Sequence, residues 1–227
     1  MELAFIAPTK YTNKAIEHSD VNMALAHLCE DERYANSFAS SDKYTFLDNS
    51  FYELRYCLCE ATMLKAAKAV KADCVIMSDG TTDSIGVYKR EGYEVMYIPT
   101  TVKEFKDAMY SDEIDKVGLS FFHVEQLIGS DKNNPASRYN FLRAYFEEGM
   151  DTKKIHMLGA TDSMYEIALC KQWVGSWDSS AAVWGGLNNV DLRTQTTKNP
   201  LAVDFDTELA WNNLCTDNIN FIKELTK

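Results

Sequence analysis

Three aspartates in this sequence each follow a short apolar run, a position from which a carboxylate can do chemistry. They are Asp48 in FLDNS, Asp79 in VIMSDG and Asp178 in VGSWDSS. The first is followed by an amide and a hydroxyl, Asn49 and Ser50. One such segment is most simply a helix N-cap or an Asx turn. Three of them indicate a shared site, provided that the apolar runs are strands whose carboxyl ends meet.

Carboxylates grouped in this way support two kinds of chemistry. A metal site is one, but zinc prefers His and Cys ligands, and His156 is the only histidine within a predicted strand. The other is glycosyl transfer, in which one carboxylate attacks the anomeric carbon while a second transfers a proton as the leaving group departs. A third carboxylate can accept hydrogen bonds from the N–H groups of a guanine-like base. The sequence favours glycosyl transfer with no metal and no cofactor.

The cysteines and the remaining histidines give no sign of a metal site. The six cysteines are scattered through apolar segments without a CxxC pair, which is typical of reduced core residues in a cytosolic protein. His18, His27 and His123 lie in predicted loops or helices, and we interpret them as surface or packed residues.

Short β-rich runs alternate with amphipathic helical stretches along the whole chain. The predicted strands are residues 3–8, 44–48, 74–79, 94–99, 116–122, 155–160 and 173–178. The predicted helices are residues 21–35, 57–72, 82–92, 102–110, 137–149 and 163–172. Nearly continuous apolar strands followed by amphipathic helices indicate a parallel sheet with helices on its outside.

Seven such units, with a candidate eighth strand near Val190 to Arg193, predict a small α/β barrel of the (β/α)8 TIM type, formed by residues 1–227 as a single domain. An open doubly wound sheet is the alternative, but IAPTKYTN carries no GxGxxG motif. In a barrel, side chains at the carboxyl ends of the strands converge on one face. Asp48, Asp79 and Asp178 would then point into one mouth.

The chain has 227 residues and a formal net charge of −11, which argues against a general nucleic-acid binder because phosphate contacts need clustered Lys and Arg. A local basic groove would use Lys65, Lys68 and Lys71 on one helix or Arg138 and Arg143 on another, but such spacings are more typical of a solvated helix face. The sequence has no run of about 18 apolar residues and no basic leader. We therefore expect a cytoplasmic protein with no membrane partner, in the host cytoplasm if a phage encodes it.

The motifs occur in an order that resembles a known enzyme superfamily. LDNS, MSDG, VGLS, HMLGA and WDSS follow one another as in the tRNA-guanine transglycosylases. Within that superfamily the chain is most similar to the short phage and bacterial DpdA-like proteins, which place 7-deazaguanines in DNA. The likeness runs from FIAPTKY to WDSSAAVWGGLN. Members are barrels that exchange guanine for a 7-deazaguanine through a covalent glycosyl intermediate on an aspartate.

The resemblance implies a role for each motif. Asp178 matches the nucleophile, Asp48 the general acid/base and Asp79 the residue that binds the edge of the base. The implied partners are a nucleic acid, with DNA favoured over tRNA, and a 7-deazaguanine base. The other residues implied in base binding are Asn49 and Ser50 beside Asp48, Thr100, Gly118 and Leu119 through their backbone, and Leu158 and Gly159 in one wall of the pocket.

Two departures from the family pattern bear on the substrate. Only Cys215 lies beyond Asp178, so the family's CxCxxC zinc motif is missing and no structural zinc is expected. In YIPTT, Thr100 stands where the family has a base-reading glutamine. Two alternatives stay open: a glycosyl hydrolase or transferase for a free nucleoside or nucleotide, and a barrel that binds without catalysis. Trp177 and Trp184, which flank Asp178, could stack on a base or pack in the core.

Overall fold

Eight short parallel strands lie side by side in the order β1-β8-β7-β6-β5-β4-β3-β2 and form a nearly closed barrel. The computed structural model describes residues 1–129, 134–160, 163–194 and 204–227. The alternation of strands and helices confirms the predicted (β/α)8 TIM-type architecture. The strands are β1 (Glu2–Phe5), β2 (Asn22–Leu25), β3 (Thr45–Asp48), β4 (Cys74–Ile76), β5 (Glu94–Tyr97), β6 (Lys116–Ser120), β7 (Ile155–Leu158) and β8 (Ser176–Ser179).

The helices cover the outside of the barrel, and several loops contain short 3-10 turns. The α-helices are α1 (Thr12–His18), α2 (Glu32–Ala39), α3 (Phe51–Leu54), α4 (Glu60–Val70), α5 (Ile85–Arg90), α6 (Val102–Tyr110), α7 (Val124–Ile128), α8 (Ser137–Tyr145), α9 (Tyr165–Cys170), α10 (Ala181–Leu187) and α11 (Asn213–Thr226). The 3-10 turns are Thr9–Tyr11, Ala26–Leu28, Phe121–His123 and Thr152–Lys154.

The eighth strand of the barrel is β2, so its predicted position near Val190 to Arg193 is wrong. Residues 190–193 form an irregular segment and a turn after α10. The predicted helix 21–35 instead divides into β2, a 3-10 turn and α2. All residues of β2 are buried, with Met23 inside the barrel and Ala24 beneath the helices. A strand of four residues buried on both faces has no alternating pattern of apolar and polar residues. Its apolar residues were therefore read as part of the amphipathic helix that follows.

The barrel closes between β1 and β2 mainly through side chains rather than through a regular ladder. The Ser19 hydroxyl accepts a hydrogen bond from the Phe5 N–H at 2.9 Å, and an Asp20 carboxylate oxygen accepts one from the Leu3 N–H at 3.1 Å. The Leu3 carbonyl accepts backbone bonds from Asp20 and Val21. These contacts satisfy the edge groups that an open sheet would leave exposed.

Alternate residues of the strands fill the inside of the barrel with a compact apolar cluster. Gly118 faces this interior, because a β-carbon built on it would lie 2.8 Å from Leu158 Cδ1 and 3.1 Å from Met96 Sδ. A larger residue in the middle of β6 would therefore displace its neighbours. The interior cluster comprises Ala4, Val21, Met23, Phe46, Cys74, Ile76, Met96 and Ile98.

A buried guanidinium fixes the carboxyl ends of β6 and β7. Arg138 on α8 is 1% exposed and makes a two-pronged ion pair with Glu166 on α9, at 2.9 and 2.6 Å. Its remaining N–H groups donate to the carbonyl oxygens of Leu119, Leu158 and Gly159 at 2.9 to 3.0 Å. One side chain thus ties two helices to two strand ends. The bidentate geometry is specific to arginine.

Removal of this guanidinium should destabilise the protein strongly. Arg138→Met removes the guanidinium from the buried Glu166 carboxylate, and breaking a buried ion pair in this way typically costs about 3–5 kcal/mol of unfolding free energy. The matched control is Arg143→Met on the exposed face of the same helix, which should change stability by less than about 0.5 kcal/mol. Urea unfolding of both variants measures the difference. Equal stabilities would contradict a bracing role for Arg138.

Candidate active site

A cavity of about 400 Å³ opens at the carboxyl ends of the strands. Asp48, Asp79 and Asp178 all line it, as the sequence predicts. A fourth carboxyl group, that of Glu53, joins them from α3. The volume is in the range of cavities that hold small ligands. Aromatic side chains form much of the remaining wall, namely Phe51, Tyr52, Phe121, Phe122, Trp184 and Phe205.

Asp178 is held at the end of β8 by donors from the neighbouring strand. Its Oδ1 lies 3.0 Å from His156 Nε2 and accepts a hydrogen bond from the Gly159 N–H at 3.3 Å. His156 is fully buried, and its Nδ1 lies 2.7 Å from the hydroxyl of Ser176. Gly159 has a φ of +68°, a conformation that glycine adopts without strain. The buried carboxylate is thus oriented by fixed polar groups.

His156 is therefore a partner of the candidate nucleophile rather than a metal ligand. It is the second residue of its strand and lies two positions before Leu158, so its side chain points to the same face as Leu158 and into the barrel. The sequence marks it as the one strand histidine, but its pairing with Asp178 depends on the β7–β8 register, in which His156 lies opposite Ser176.

Asp48 occupies the corresponding end of β3 in a very different environment. One of its oxygens accepts a hydrogen bond from the Ser50 N–H at 2.6 Å. Burial, followed by the negative charge of Glu53, raises the pKa of Asp48 to about 8. Asp178 and Asp79 contribute to the same shift. Asp48 is consequently protonated at neutral pH and can donate a proton.

Glu53 is a site residue that the sequence reading missed. Its Oε2 is buried and has no hydrogen-bond partner among the described residues. Burial and the nearby Asp178 raise its pKa, and Arg55 lowers it. Glu53 lies five residues after Asp48 on the single turn of α3, so the only sequence signal was an acidic residue in a loop next to a site motif.

Asp79 is paired with a histidine that sequence reasoning assigned to the surface or to packing. His123 Nε2 lies 2.5 Å from Asp79 Oδ2, and both residues line the cavity. The hydrogen bond to Asp79 raises the pKa of His123 against the opposing effect of burial. The pair spans 44 residues of sequence and joins the loops after β4 and β6. Its proximity cannot be seen from local motifs.

An aromatic lip borders the cavity and is formed by Tyr52, Phe122 and Arg55. The rings of Tyr52 and Phe122 stack with centroids 4.6 Å apart, and the Arg55 guanidinium lies 4.4 Å from the Tyr52 centroid. Tyr52 is 38% exposed and Phe122 47% exposed. Exposed aromatic rings at a cavity mouth are well suited to contact a flat ligand.

Not all residues implied in base binding reach the cavity. Asn49, Leu158 and Gly159 line it. Ser50 is fully buried below the strand tip, where its hydroxyl accepts a hydrogen bond from the His27 N–H. Thr100 faces away and donates its hydroxyl to Glu104. The remaining two residues, Gly118 and Leu119, lie deeper in β6: Gly118 in the barrel interior, and Leu119 under the helices with its carbonyl bound to Arg138.

The two tryptophans next to Asp178 are packed rather than free. Trp177 is fully buried under the helices and donates to the Gly159 carbonyl. Trp184 is 2% exposed, forms part of the cavity wall and contacts Phe205 edge to face. Neither is open for stacking along a nucleic acid.

Four of the five residues of the candidate basic groove are paired with other protein groups, among them Lys71 with the Ala39 carbonyl, and the fifth, Arg143, is exposed. Arg138 is buried against Glu166, whereas Lys65 and Lys68 are paired with Glu30 and Glu91.

The described residues contain no cluster of three or more His, Cys, Asp or Glu side chains with the arrangement of a metal site. In the same part of the chain, no helix has the length and apolar character needed to cross a bilayer.

Comparison with known proteins identifies the fold only. No protein-family model matches the chain, and no curated protein matches it. Thiamine phosphate pyrophosphorylase from Pyrococcus furiosus has a TM-score of 0.54 and 11% identity, over 96% of this chain and 91% of that one. Dihydrodipicolinate synthase from Agrobacterium tumefaciens has a TM-score of 0.50 and 11% identity, over 99% and 78%. The chain has a TIM-barrel fold. At these identities the likeness carries nothing about the reaction.

The raised pKa of Asp48 predicts a pH-dependent cost of burying this carboxyl. In Asp48→Asn the amide stays neutral, so the variant should match the natural protein below about pH 4, where Asp is protonated in the folded and unfolded states alike. As the pH rises from there to about 8, only the unfolded chain loses the proton, and the variant should become progressively more stable than the natural protein. Above pH 8 the difference should level off.

Thermal melts of both proteins across this pH range measure the effect. Asp31→Asn is the sign control, because the pKa of Asp31 is lowered by its bonds to Arg33 and the difference should run in the opposite direction. A stability difference for Asp48→Asn that does not vary with pH would show that this carboxyl ionises normally.

Proposed function

We propose that the protein is a transglycosylase that exchanges guanine for a 7-deazaguanine base in nucleic acid, with DNA as the favoured polymer. The observation that carries the proposal is that one cavity contains two strand-end carboxyl groups in different environments. Asp178 accepts fixed hydrogen bonds, and Asp48 is held in its acid form. Two carboxyl groups whose environments differ in this way divide readily into nucleophile and acid.

Asp178 is the proposed nucleophile. The Gly159 N–H donates to its Oδ1, and His156 lies within hydrogen-bond distance of the same oxygen, so these contacts orient the carboxyl group. In the first step Asp178 forms a bond to the anomeric carbon while the bond from that carbon to guanine breaks. The electron pair of the broken bond leaves with the base. The products are an aspartyl-glycosyl intermediate and a base that needs a proton.

Asp48 supplies that proton. Its carboxyl is protonated near neutral pH, so it transfers H⁺ to the departing guanine and becomes a carboxylate. The 7-deazaguanine then enters, loses a proton to Asp48 and attacks the anomeric carbon, which releases Asp178. Both residues return to their starting states, and no further reactant is required. Asp79 accepts hydrogen bonds from the N–H edge of either base.

The wall of the cavity accords with a flat ligand. Leu158 and Gly159 form one side and Tyr52 with Phe122 the outer lip. A base within a duplex would have to be flipped out to enter, at a cost of a few kcal/mol. Both fold neighbours are named as enzymes, which is in keeping with a catalytic role for the barrel.

A free nucleoside or nucleotide is the second candidate substrate. The net charge of −11 and the four carboxyl groups in the cavity favour it, because a long polyanion is repelled by such a surface. Arg55 is the only Lys or Arg among the described residues that line the cavity. A single cation can hold one phosphate, as a mononucleotide requires. The glycosyl chemistry of Asp178 and Asp48 is the same for either substrate.

Asp178→Asn should abolish base exchange, because an amide is a very poor nucleophile although it has nearly the same size. Asp48→Asn should slow turnover by about 10²- to 10⁴-fold, the usual contribution of proton transfer. Labelled guanine is incubated with DNA, tRNA or a free nucleoside, and label incorporation and denaturant-resistant protein adducts are scored. Asp42→Asn, an exposed position before β3, should keep full activity.

Each outcome of this experiment bears on a different part of the proposal. Full activity in Asp178→Asn would exclude the covalent mechanism. Exchange only into the free nucleoside would favour the second substrate. Label incorporation into none of the three by the natural protein would favour a barrel that binds without catalysis.

A further inference from the structure

The position expected to read the base beside Asp79 faces away from the cavity. Thr100 donates its hydroxyl and its N–H to Glu104 Oε2, at 3.0 and 2.7 Å, as part of the start of α6. The side chain that does reach Asp79 is His123, from the turn after β6. The side chain paired with Asp79 is therefore supplied by a different loop of the barrel.

We propose that His123 is a specificity-determining residue, which donates a hydrogen bond to a ring carbonyl while Asp79 accepts hydrogen bonds from the N–H groups next to it. The inference rests on the proposed function, since it concerns the base that occupies the same cavity. The chemistry it selects is a lactam edge, in which a C=O stands beside N–H donors, as on guanine.

The geometry of the pair suits this edge. With no base bound, His123 Nε2 and Asp79 Oδ2 satisfy each other at 2.5 Å. When a base offers its N–H groups to Asp79, the carboxylate gains donors and the imidazole N–H becomes available for the adjacent carbonyl. Every group that loses a partner thus gains one. A base without that carbonyl would leave the imidazole N–H unpaired in a partly closed cavity, which is costly.

His123 is also held in place by its neighbours. It ends the 3-10 turn Phe121–His123, in which the Phe122 N–H donates to the Ser120 hydroxyl at 3.2 Å. The Phe122 ring stacks on Tyr52 from the opposite side of the mouth. Both contacts are made by Phe122, the residue before His123, and a recognition group whose neighbour is held in this way can discriminate by position.

Recognition by an imidazole should depend on pH in a way that recognition by an amide would not. The charged and polar groups that act on His123 are Asp79 and Glu104, together with the amide of Gln126, and all three raise its pKa. The imidazolium offers N–H donors on both ring nitrogens, so the affinity for guanine should fall as the pH rises through this raised pKa. Asp48 and Glu53 titrate in the same cavity, so a variant that removes only the imidazole is needed to separate the effects.

The test compares the binding of guanine and 6-thioguanine by calorimetry. The thiocarbonyl keeps the N–H edge but is a poor acceptor, so it probes the His123 contact alone. In His123→Ala, the affinity for guanine should fall by about 10- to 100-fold, the value of a hydrogen bond to a charged group, and the preference over 6-thioguanine should disappear. His123→Gln should restore much of the affinity for guanine, but that affinity should depend less on pH than in the natural protein, because the titrating imidazole is gone.

Two controls make the result specific. Hypoxanthine, which lacks the 2-amino group, probes Asp79, and its disadvantage relative to guanine should persist in His123→Ala. His18→Gln, a change outside the cavity lining, should leave all affinities and their pH dependence unchanged. Thermal melts establish that each variant is folded.

The outcomes separate this inference from the proposed function. An unchanged preference for guanine over 6-thioguanine in His123→Ala, or an unchanged pH dependence in His123→Gln, would overturn the inference while base exchange by the natural protein still stood. Binding that depends on His123 without any exchange would support the inference and reject the transglycosylase. If the natural protein binds no guanine at any pH, the inference fails together with guanine as the base.

Discussion

The buried contact between Arg138 and Glu166 is the constraint on which the site depends. A guanidinium in the interior is tolerable only if its charge and its N–H groups are matched, and here a carboxylate and three carbonyl oxygens match them. Those carbonyls belong to the last residues of β6, the end of β7 and Gly159. Gly159 in turn donates its N–H to Asp178. Arg138 therefore helps to position the candidate nucleophile indirectly, through Gly159.

The cavity next to the Arg138–Glu166 contact contains four carboxyl groups, and each of them has different neighbours. Asp178 receives fixed donors, Asp79 shares a histidine, and Asp48 remains protonated. Four ionised carboxylates at such close quarters would repel one another, so protonation of at least one lowers the electrostatic cost of the site. Burial, followed by the repulsion from Glu53, raises the pKa of Asp48 to about 8.

The sequence predicted the architecture well where information is local. Seven strands were found because each is an apolar run bounded by polar or turn residues, and their aspartates line one cavity because parallel strands end on the same face. β2 was missed because a fully buried strand of four residues has no period of its own. The helices α1, α3, α7, α10 and α11 were not predicted either.

The site residues that were missed depend on contacts distant in sequence. His123 reaches Asp79 across 44 residues, and its role could not be read from its neighbours. Arg138 was expected on a solvated helix face, because its partner Glu166 is 28 residues away and no local pattern indicates the contact. Motif order located the carboxylates. It did not reveal their partners, because partners are chosen by the packing of loops.

The closure between β1 and β2 has a consequence for the reacting groups themselves. Asp178 lies on β8, which is next to β1, and Asp48 lies on β3, which is next to β2. The two carboxyl groups therefore lie on opposite sides of the β1–β2 junction, the one junction in the barrel that lacks a regular hydrogen-bond ladder. A change in the width of this junction, where Ser19 and Asp20 make their contacts, would alter the distance between the two carboxyl groups. In the proposed reaction, a sugar between the two carboxyl groups would therefore lie across this junction.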